Sequence, residues 1–377
     1  MTALRVVVAL DSLKGSLSAA EACVAVARGV GSVAPEAEVV QVPMADGGEG
    51  SLEAVLARGG IEAVTETVDA IGRPASAHWA LDGGHAVIEL AQAAGLPQVE
   101  DAPLQALAAS TAGLGRVVLD ALERGATEVT LLLGGSATSD GGAGVLTTLG
   151  VHLADAAGAP LGPGGGGLAA IAHLDATGID PRALAARWRF VTDVDAPLTG
   201  PRGAAAVFGP QKGADAAAVA TLDAALERFA RVGAAALGVD AASIIEVPGA
   251  GAAGGVASVL RALTGGEIVA GGDWFAELVG LDAAVAGADL VISGEGRFDA
   301  QSAGGKVVSV VHAAAQRHGV PLVVIAGSVD ADAARAMAVP AFSLAPGPAA
   351  LAELQRDAAE LLAATAASVT RLLARPR

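Results

Sequence analysis

Short apolar runs alternate along the chain with polar, glycine-rich stretches, and the runs have the length of strands. Arg5–Leu10 is apolar throughout after its first residue, the pattern of a parallel strand buried on both faces. It enters Asp11-Ser-Leu-Lys-Gly-Ser-Leu-Ser18, where Ser16 or Ser18 can cap a helix reaching about Val30, with Glu21 in its first turn. A second strand, Glu38–Val42, leads through Pro43-Met-Ala-Asp-Gly-Gly-Glu-Gly-Ser51 into another helix. From Ile71 the texture changes. Arg73–Trp79 and Ala86–Leu90 alternate like antiparallel strands joined at Asp82-Gly83-Gly84, and a helix is expected over Ala102–Glu123. Further apolar strands are expected at Val129–Leu133, Arg189–Thr192, Ile244–Val247, Leu290–Ile292, Pro321–Ile325 and Val339–Ser343. Gly162–Gly167 reads as a flexible loop, and one amphipathic helix over Leu351–Leu373 closes the pattern.

Strand–loop–helix alternation at both ends predicts an α/β fold with a Rossmann-like, doubly wound domain built from residues 1–72 and 287–377. Residues 73–286 would form a second, inserted α/β domain, with the active site in the cleft between the two.

Composition sharpens this picture in three ways. The formal charge of −17 argues against nucleic acid or an anionic membrane as partner, so any bound anion must be met by locally gathered cations. Of the 23 basic residues only three are lysines (Lys14, Lys212 and Lys306), and each adjoins a glycine, as if these positions require a compact ammonium that arginine cannot replace. The single cysteine, Cys23, excludes an internal disulfide and a cysteine-based metal site. Val6–Leu10 is too short for a signal sequence, and the uncharged stretch Ala156–Leu174 is broken by Pro160, Pro163 and a glycine run. A soluble, cytoplasmic protein is expected.

The candidate chemistry lies where apolar runs end. Leu290–Ile292 stops at Gly294 and is followed by Glu295, Arg297, Asp299, Gln301, Ser302 and Lys306, both charge signs on a glycine-rich loop. In open α/β sheets such loops lie beyond the carboxyl ends of the strands, where ligands bind. Asp11, Ser12 and Lys14 follow the first strand, and Asp46 and Glu49 the second. Val129–Leu133 enters Gly134-Gly135-Ser136-Ala-Thr138-Ser139-Asp140-Gly-Gly-Ala-Gly144, a loop that lets a ligand approach the main chain, with hydroxyls for a polyol or phosphate and Asp140 for a cation. Asp193 and Asp195, at a strand end, suit Mg²⁺ or a hydroxyl proton. Arg202 and Lys212 sit on nearby Gly/Pro loops, as a polyphosphate would require. Gly249-Ala-Gly251-Ala-Ala-Gly254 is a literal G-x-G-x-x-G, weak because the acid expected about 20 residues on is replaced by the nearer Glu267 and Asp273.

Taken together, Asp11–Ser18, Pro43–Gly50, Gly134–Gly144, Phe208-Gly-Pro-Gln-Lys-Gly213, Pro248–Gly255 and Gly294–Ser302 resemble, in order and across essentially the whole chain, the blocks of the bacterial type-1 glycerate kinases. Small departures are Leu13 for a frequent Phe, Ser139 for a usual Asn, and Val307-Val308 where a Pro commonly follows Gly-Lys. The resemblance implies a Rossmann-like domain with a second α/β domain inserted. It further implies transfer of the γ-phosphoryl of ATP, with Mg²⁺, to a hydroxyl of D-glycerate, giving 2-phosphoglycerate or 3-phosphoglycerate, in glyoxylate, glucarate or related C3-acid breakdown. Partners are then D-glycerate and ATP, with no nucleic acid and no membrane; a homodimer is left open.

The expected roles follow from that chemistry. Lys14 and Arg297 hold the substrate carboxylate or the transferred phosphoryl, and Ser12, Glu295, Asp299 and Gln301 contact the substrate. Asp193, with Asp195 or Asp46, binds Mg²⁺ or accepts the hydroxyl proton. Gly134, Gly135, Ser136, Thr138, Arg202, Lys212, Gly251 and Lys306 cradle the nucleotide without a Walker A loop, because Gly305-Lys306 continues into Val307. Two rival readings are a nicotinamide-dependent hydroxyacid dehydrogenase using the G-x-G-x-x-G and a non-catalytic sugar-acid sensor.

Overall fold

The computed structural model describes residues 4–45, 51–303 and 306–373. The chain forms two compact units, Met1–Ala54 with Ala270–Arg377, and Val55–Val269. Both boundaries lie before those expected. The strand Ile61–Val68, which buries every second side chain over its middle, pairs antiparallel with Pro74–Asp82 and so belongs to the second unit. The helices Gly271–Val279 and Leu281–Val285 pack with Val307–His318 in the first.

The first unit holds a five-stranded, all-parallel sheet with Glu38–Gln41 at one edge, then Arg5–Leu10, Leu290–Gly294, Leu322–Ala326 and Ala341–Ser343. In chain order this is 2-1-3-4-5, a doubly wound arrangement that reverses direction between Arg5–Leu10 and Leu290–Gly294. Val6 to Leu10 are wholly buried, as a strand covered on both faces must be. Ser18 caps the helix Ala19–Val33 in a reciprocal capping box with Glu21. That helix packs against Ala358–Leu373 so closely that a Cβ on Gly29 would collide with the Ala363 carbonyl. The single closing helix expected from the pattern is two, Leu351–Arg356 and Ala358–Leu373, broken at Asp357.

The second unit holds a six-stranded mixed sheet. Glu267–Val269, Arg187–Val191, Glu128–Leu132 and His85–Glu89 run parallel, and Pro74–Asp82 and Ile61–Val68 complete it as an antiparallel meander. The hairpin turns at Gly83 and Gly84, both at positive φ. Trp79, Trp188, Phe190 and Phe229 fill a core otherwise made of Ala, Val, Leu and Ile.

Three expected elements differ. The helix placed at Ala102–Glu123 begins only at Ala112, because Pro103 interrupts the pattern and Thr111 takes the cap position. The strand expected at Ile244–Val247 is instead the short helix Ala242–Ile245. The supposed loop at Gly162–Gly167 contains a one-turn helix, Gly164–Gly167, whose Gly165 lies against the carbonyl of Ser139 where a Cβ could not fit. Among the described residues no helix is long and apolar enough to cross a membrane.

The contrast between two glycines of one helix tests the packing in the first unit. Gly29→Ala should cost about 1–3 kcal/mol by overpacking. Gly31→Ala, whose Cβ would meet nothing within 4 Å, should gain up to about 1 kcal/mol of helix propensity. Chemical denaturation of the two variants reads both signs.

Candidate active site

In the first unit the sheet reverses at the carboxyl ends of Arg5–Leu10 and Leu290–Gly294, where doubly wound folds bind ligands. The Asp11 amide continues the pairing to the Gly294 carbonyl at 2.9 Å, so Asp11 and Glu295 leave the sheet side by side. The Asp11 carboxylate accepts from the Ser12 amide at 2.6 Å, and the turn that follows, closed by Leu13 and Leu17 with Gly15 at φ +75°, leaves Lys14 exposed. Arg297 is also exposed, its guanidinium 2.9 Å from Asp299. Lys306 stands at the N-cap of Val307–His318, and Gln301 lies in the short turn Ala300–Ala303.

Glu295 differs from its neighbours. Only 8% of it is exposed, and its Oε1 is buried with no hydrogen-bond partner among the described residues. Its carboxyl is pushed up to about 7, chiefly by burial and in smaller part by Asp11 and Asp299, against the Ser302 hydroxyl and Lys306, which favour the charged form. Ser293, two residues earlier and on the strand, also has a fully buried hydroxyl without a partner among the described residues.

In the second unit two candidate loops leave the carboxyl ends of adjacent parallel strands, and the Leu133 amide bonds to the Val191 carbonyl at 3.0 Å where they diverge. Gly134 and Gly135 are exposed, but Ser136, Thr138, Ser139 and Asp140 are buried. Asp140 is not available to a cation, contrary to the expectation from sequence. Its carboxylate accepts from the Thr111 amide (2.8 Å) and hydroxyl (2.9 Å) and from the amides of Gly142 (3.1 Å) and Gly144 (3.2 Å). It thereby occupies the N-terminus of the helix Ala112–Glu123, where a negative charge is favoured. Burial nonetheless raises its pKa, and the four donors only partly offset that.

The glycine stretch 249–255 locks onto this loop. The Gly141 amide donates to the Gly254 carbonyl at 3.0 Å, and a Cβ on Gly254 would strike the Thr138 carbonyl. The Gly251 amide donates to the Ala196 carbonyl at 2.9 Å, which ties in the loop bearing Asp193 and Asp195. Both carboxylate residues are exposed, as is Arg202 on its Gly200–Gly203 turn. Lys212 is 1% exposed, and its Nζ reaches Ser136 Oγ at 2.8 Å and the Thr138 carbonyl at 2.6 Å.

The profile of the glycerate kinase family matches residues 6–374. The Glycerate 2-kinase of Escherichia coli K12 is 42% identical over 332 residues, 87% of this chain and 86% of that protein. The Glycerate kinase of Bacillus subtilis 168 is 40% identical over 372 residues, 97% of each chain. A crystal structure from Salmonella typhimurium LT2, ascribed to glycerate kinase 2, matches with TM-score 0.88 at 39% identity, covering 99% of this chain and 98% of that one.

The chain belongs to the glycerate kinase family.

Within this member of the glycerate kinases, the first unit carries Ser12, Lys14, Glu295, Arg297, Asp299 and Lys306, gathered around the reversal of the sheet. The second carries Gly134, Gly135, Ser136, Thr138, Asp193, Asp195, Arg202, Lys212 and Gly251 in four interlocked segments. Asp46 and Glu49 lie outside the described residues, as does the side chain of Gln301. The G-x-G-x-x-G lacks its dinucleotide context. A helix precedes it, its own second half is a single 3₁₀ turn, Ala252–Gly254, and Ala253 within that turn has φ +51°. Sequence reasoning missed Thr111, although a hydroxyl ahead of an apolar helical pattern is the signal for an N-cap. It also missed Ser293, which no sequence pattern marks.

The buried carboxylate makes a prediction about stability. A carboxyl with a folded-state pKa near 7 rather than 4.5 holds its proton more tightly when folded. Its ionisation therefore destabilises fully above pH 7, less as pH falls, and not at all below pH 4.5. Glu295→Gln should melt higher than the parent at pH 8, by up to about 3 kcal/mol in stability, with the gap closing toward pH 4.5.

Proposed function

We propose that the protein transfers the γ-phosphoryl group of ATP to a hydroxyl of D-glycerate, with Mg²⁺, giving 2-phosphoglycerate and ADP. Near-full-length similarity to proteins named glycerate kinase carries this reading. The E. coli relative's name, Glycerate 2-kinase, favours the 2-position over the 3-position.

Phosphoryl transfer depends on positioning and charge neutralisation more than on covalent chemistry. The substrate hydroxyl oxygen forms a bond to the γ-phosphorus as the bridging P–O bond breaks, its electron pair leaves with ADP, and the hydroxyl proton passes to a carboxylate. Lys14 and Arg297, both exposed, meet the glycerate carboxylate or the moving phosphoryl. Ser12, Glu295, Asp299 and Gln301 contact glycerate, and Lys306, Arg202, Gly134 and Gly135 face the nucleotide, whereas Gly251, expected there from sequence, is buried against the Pro197 carbonyl.

The donor set fits Mg²⁺ in one particular way. Among the described residues no group of three or more His, Cys, Asp or Glu side chains could hold a metal by itself. Mg²⁺ is commonly held by one or two carboxylates together with substrate phosphates and water. The exposed Asp193 and Asp195 supply that number. When bound there, the ion would neutralise charge on the phosphates.

An assay of ADP release across small hydroxyacids should single out D-glycerate, lose its signal with EDTA, and give 2-phosphoglycerate by NMR. Asp193→Asn should lower turnover by about 100-fold or more. Turnover near that of the parent would remove Asp193 from both metal binding and proton transfer. An absence of ADP release with glycerate would overturn the proposal.

A further inference from the structure

Lys212 is among the largest fully buried side chains in the protein, and an ammonium is costly to bury without partners. The local sequence forces it inside. Helix Ala204–Phe208 ends at Gly209, Pro210–Lys212 make one 3₁₀ turn, and Gly213 leaves it at φ +88°. A Cβ on Gly213 would come within 2.7 Å of the Leu104 Cβ, so the segment is held against its neighbours and its lysine is directed inward. There the Nζ bonds Ser136 Oγ and the Thr138 carbonyl, two points on the loop that Asp140 fixes from its other end. Two of the three ammonium donors are thus committed to the loop, and almost none of the residue reaches the surface. A group so placed acts through the loop it holds. The same loop contains the hydroxyls of Thr138 and Ser139, both fully buried and without partners among the described residues.

We propose that Lys212 is a positioning residue, whose charged amine clamps Ser136–Thr138 in the conformation that receives substrate or nucleotide, and that it does not itself touch phosphate. The catalytic part of this inference rests on the glycerate kinase reading. It accounts for a lysine in a chain that otherwise favours arginine, since the space beneath the loop takes a compact ammonium and not a planar fork. It also carries a pH signature. Burial lowers the Lys212 pKa to about 8, and Asp140 is the charged group that opposes the shift. Below that pH the clamp is charge-assisted; above it the clamp weakens and the loop loosens.

The test compares the parent with Lys212→Met, using hydrogen exchange of residues 134–144, thermal melting, and kcat/KM for ATP and glycerate from pH 6 to 10. Lys212→Met should exchange faster in that loop and melt within about 5 °C of the parent, because losing the bonds is offset by losing a buried charge. Its kcat/KM at pH 7 should fall by about 100-fold, as expected for a displaced loop. The parent should lose activity above about pH 8, and the variant should lack that limb. Unchanged loop exchange, or the same alkaline limb in the variant, would overturn the proposal. Should Lys212→Met fail to fold, Ser136→Ala removes one acceptor and must move the limb to lower pH; an unmoved limb overturns the claim equally. Hydrogen exchange needs no substrate, so a parent inactive on glycerate would sink the kinase reading while leaving the clamp separately decided.

Discussion

A charge taken out of water must find its partners inside the fold, and in the second unit that constraint shapes everything around Asp140. Its four donors come from the cap of one helix and the glycines that open the next. The carboxylate therefore ties Ala112–Glu123 to Ala143–Thr148, and the loop between strand and helix has little freedom left. Gly144 packs against the amide of Ala112, and Gly254 against the carbonyl of Thr138, contacts that a Cβ at either position would destroy. The glycines of this region serve close backbone approach first. Their abundance is the counterpart of the buried charges, because only a tightly packed main chain can supply so many donors in so small a space.

The first unit meets a different constraint. An all-parallel sheet in the order 2-1-3-4-5 must reverse its winding once, and the two strands at that point end together. Loops that separate there leave room for a ligand, and the chain puts Asp11, Lys14, Glu295 and Arg297 on them. The exposed cations and the buried carboxylate differ in their surroundings. Lys14 and Arg297 can meet an anion from solvent, and Glu295 sits in surroundings that hold its proton near neutrality.

Much of this was legible in the sequence where local rules act alone. The buried strand Arg5–Leu10, the Ser18–Glu21 capping box and the Asp82-Gly83-Gly84 hairpin follow from periodicity and turn chemistry, and the structure has all three. The order of the glycine-rich blocks was enough to indicate the family. What escaped depends on partners distant in sequence. Ile61–Val68 reads as mixed polar because it is an edge strand, buried on one face only. Ile244–Val247 has strand-like residues, but its first two end the short helix Ala242–Ile245. Asp140 and Lys212 look like ligand-binding groups in one dimension, and only folding shows that their partners are internal. Arg202 and the Asp193–Asp195 pair, by contrast, stay exposed as the loop pattern implied.

The account stands or falls on whether the exposed cations at the reversal of the first unit's sheet serve one chemical event. A double-mutant cycle on kcat/KM, with Arg297→Met and Lys14→Met, measures that directly. Residues engaged with the same transferring phosphoryl should couple by about 1 kcal/mol or more, so that the double variant loses far less than the two single losses combined. Additivity to within about 0.5 kcal/mol would mean that the two side chains act independently, and would contradict it.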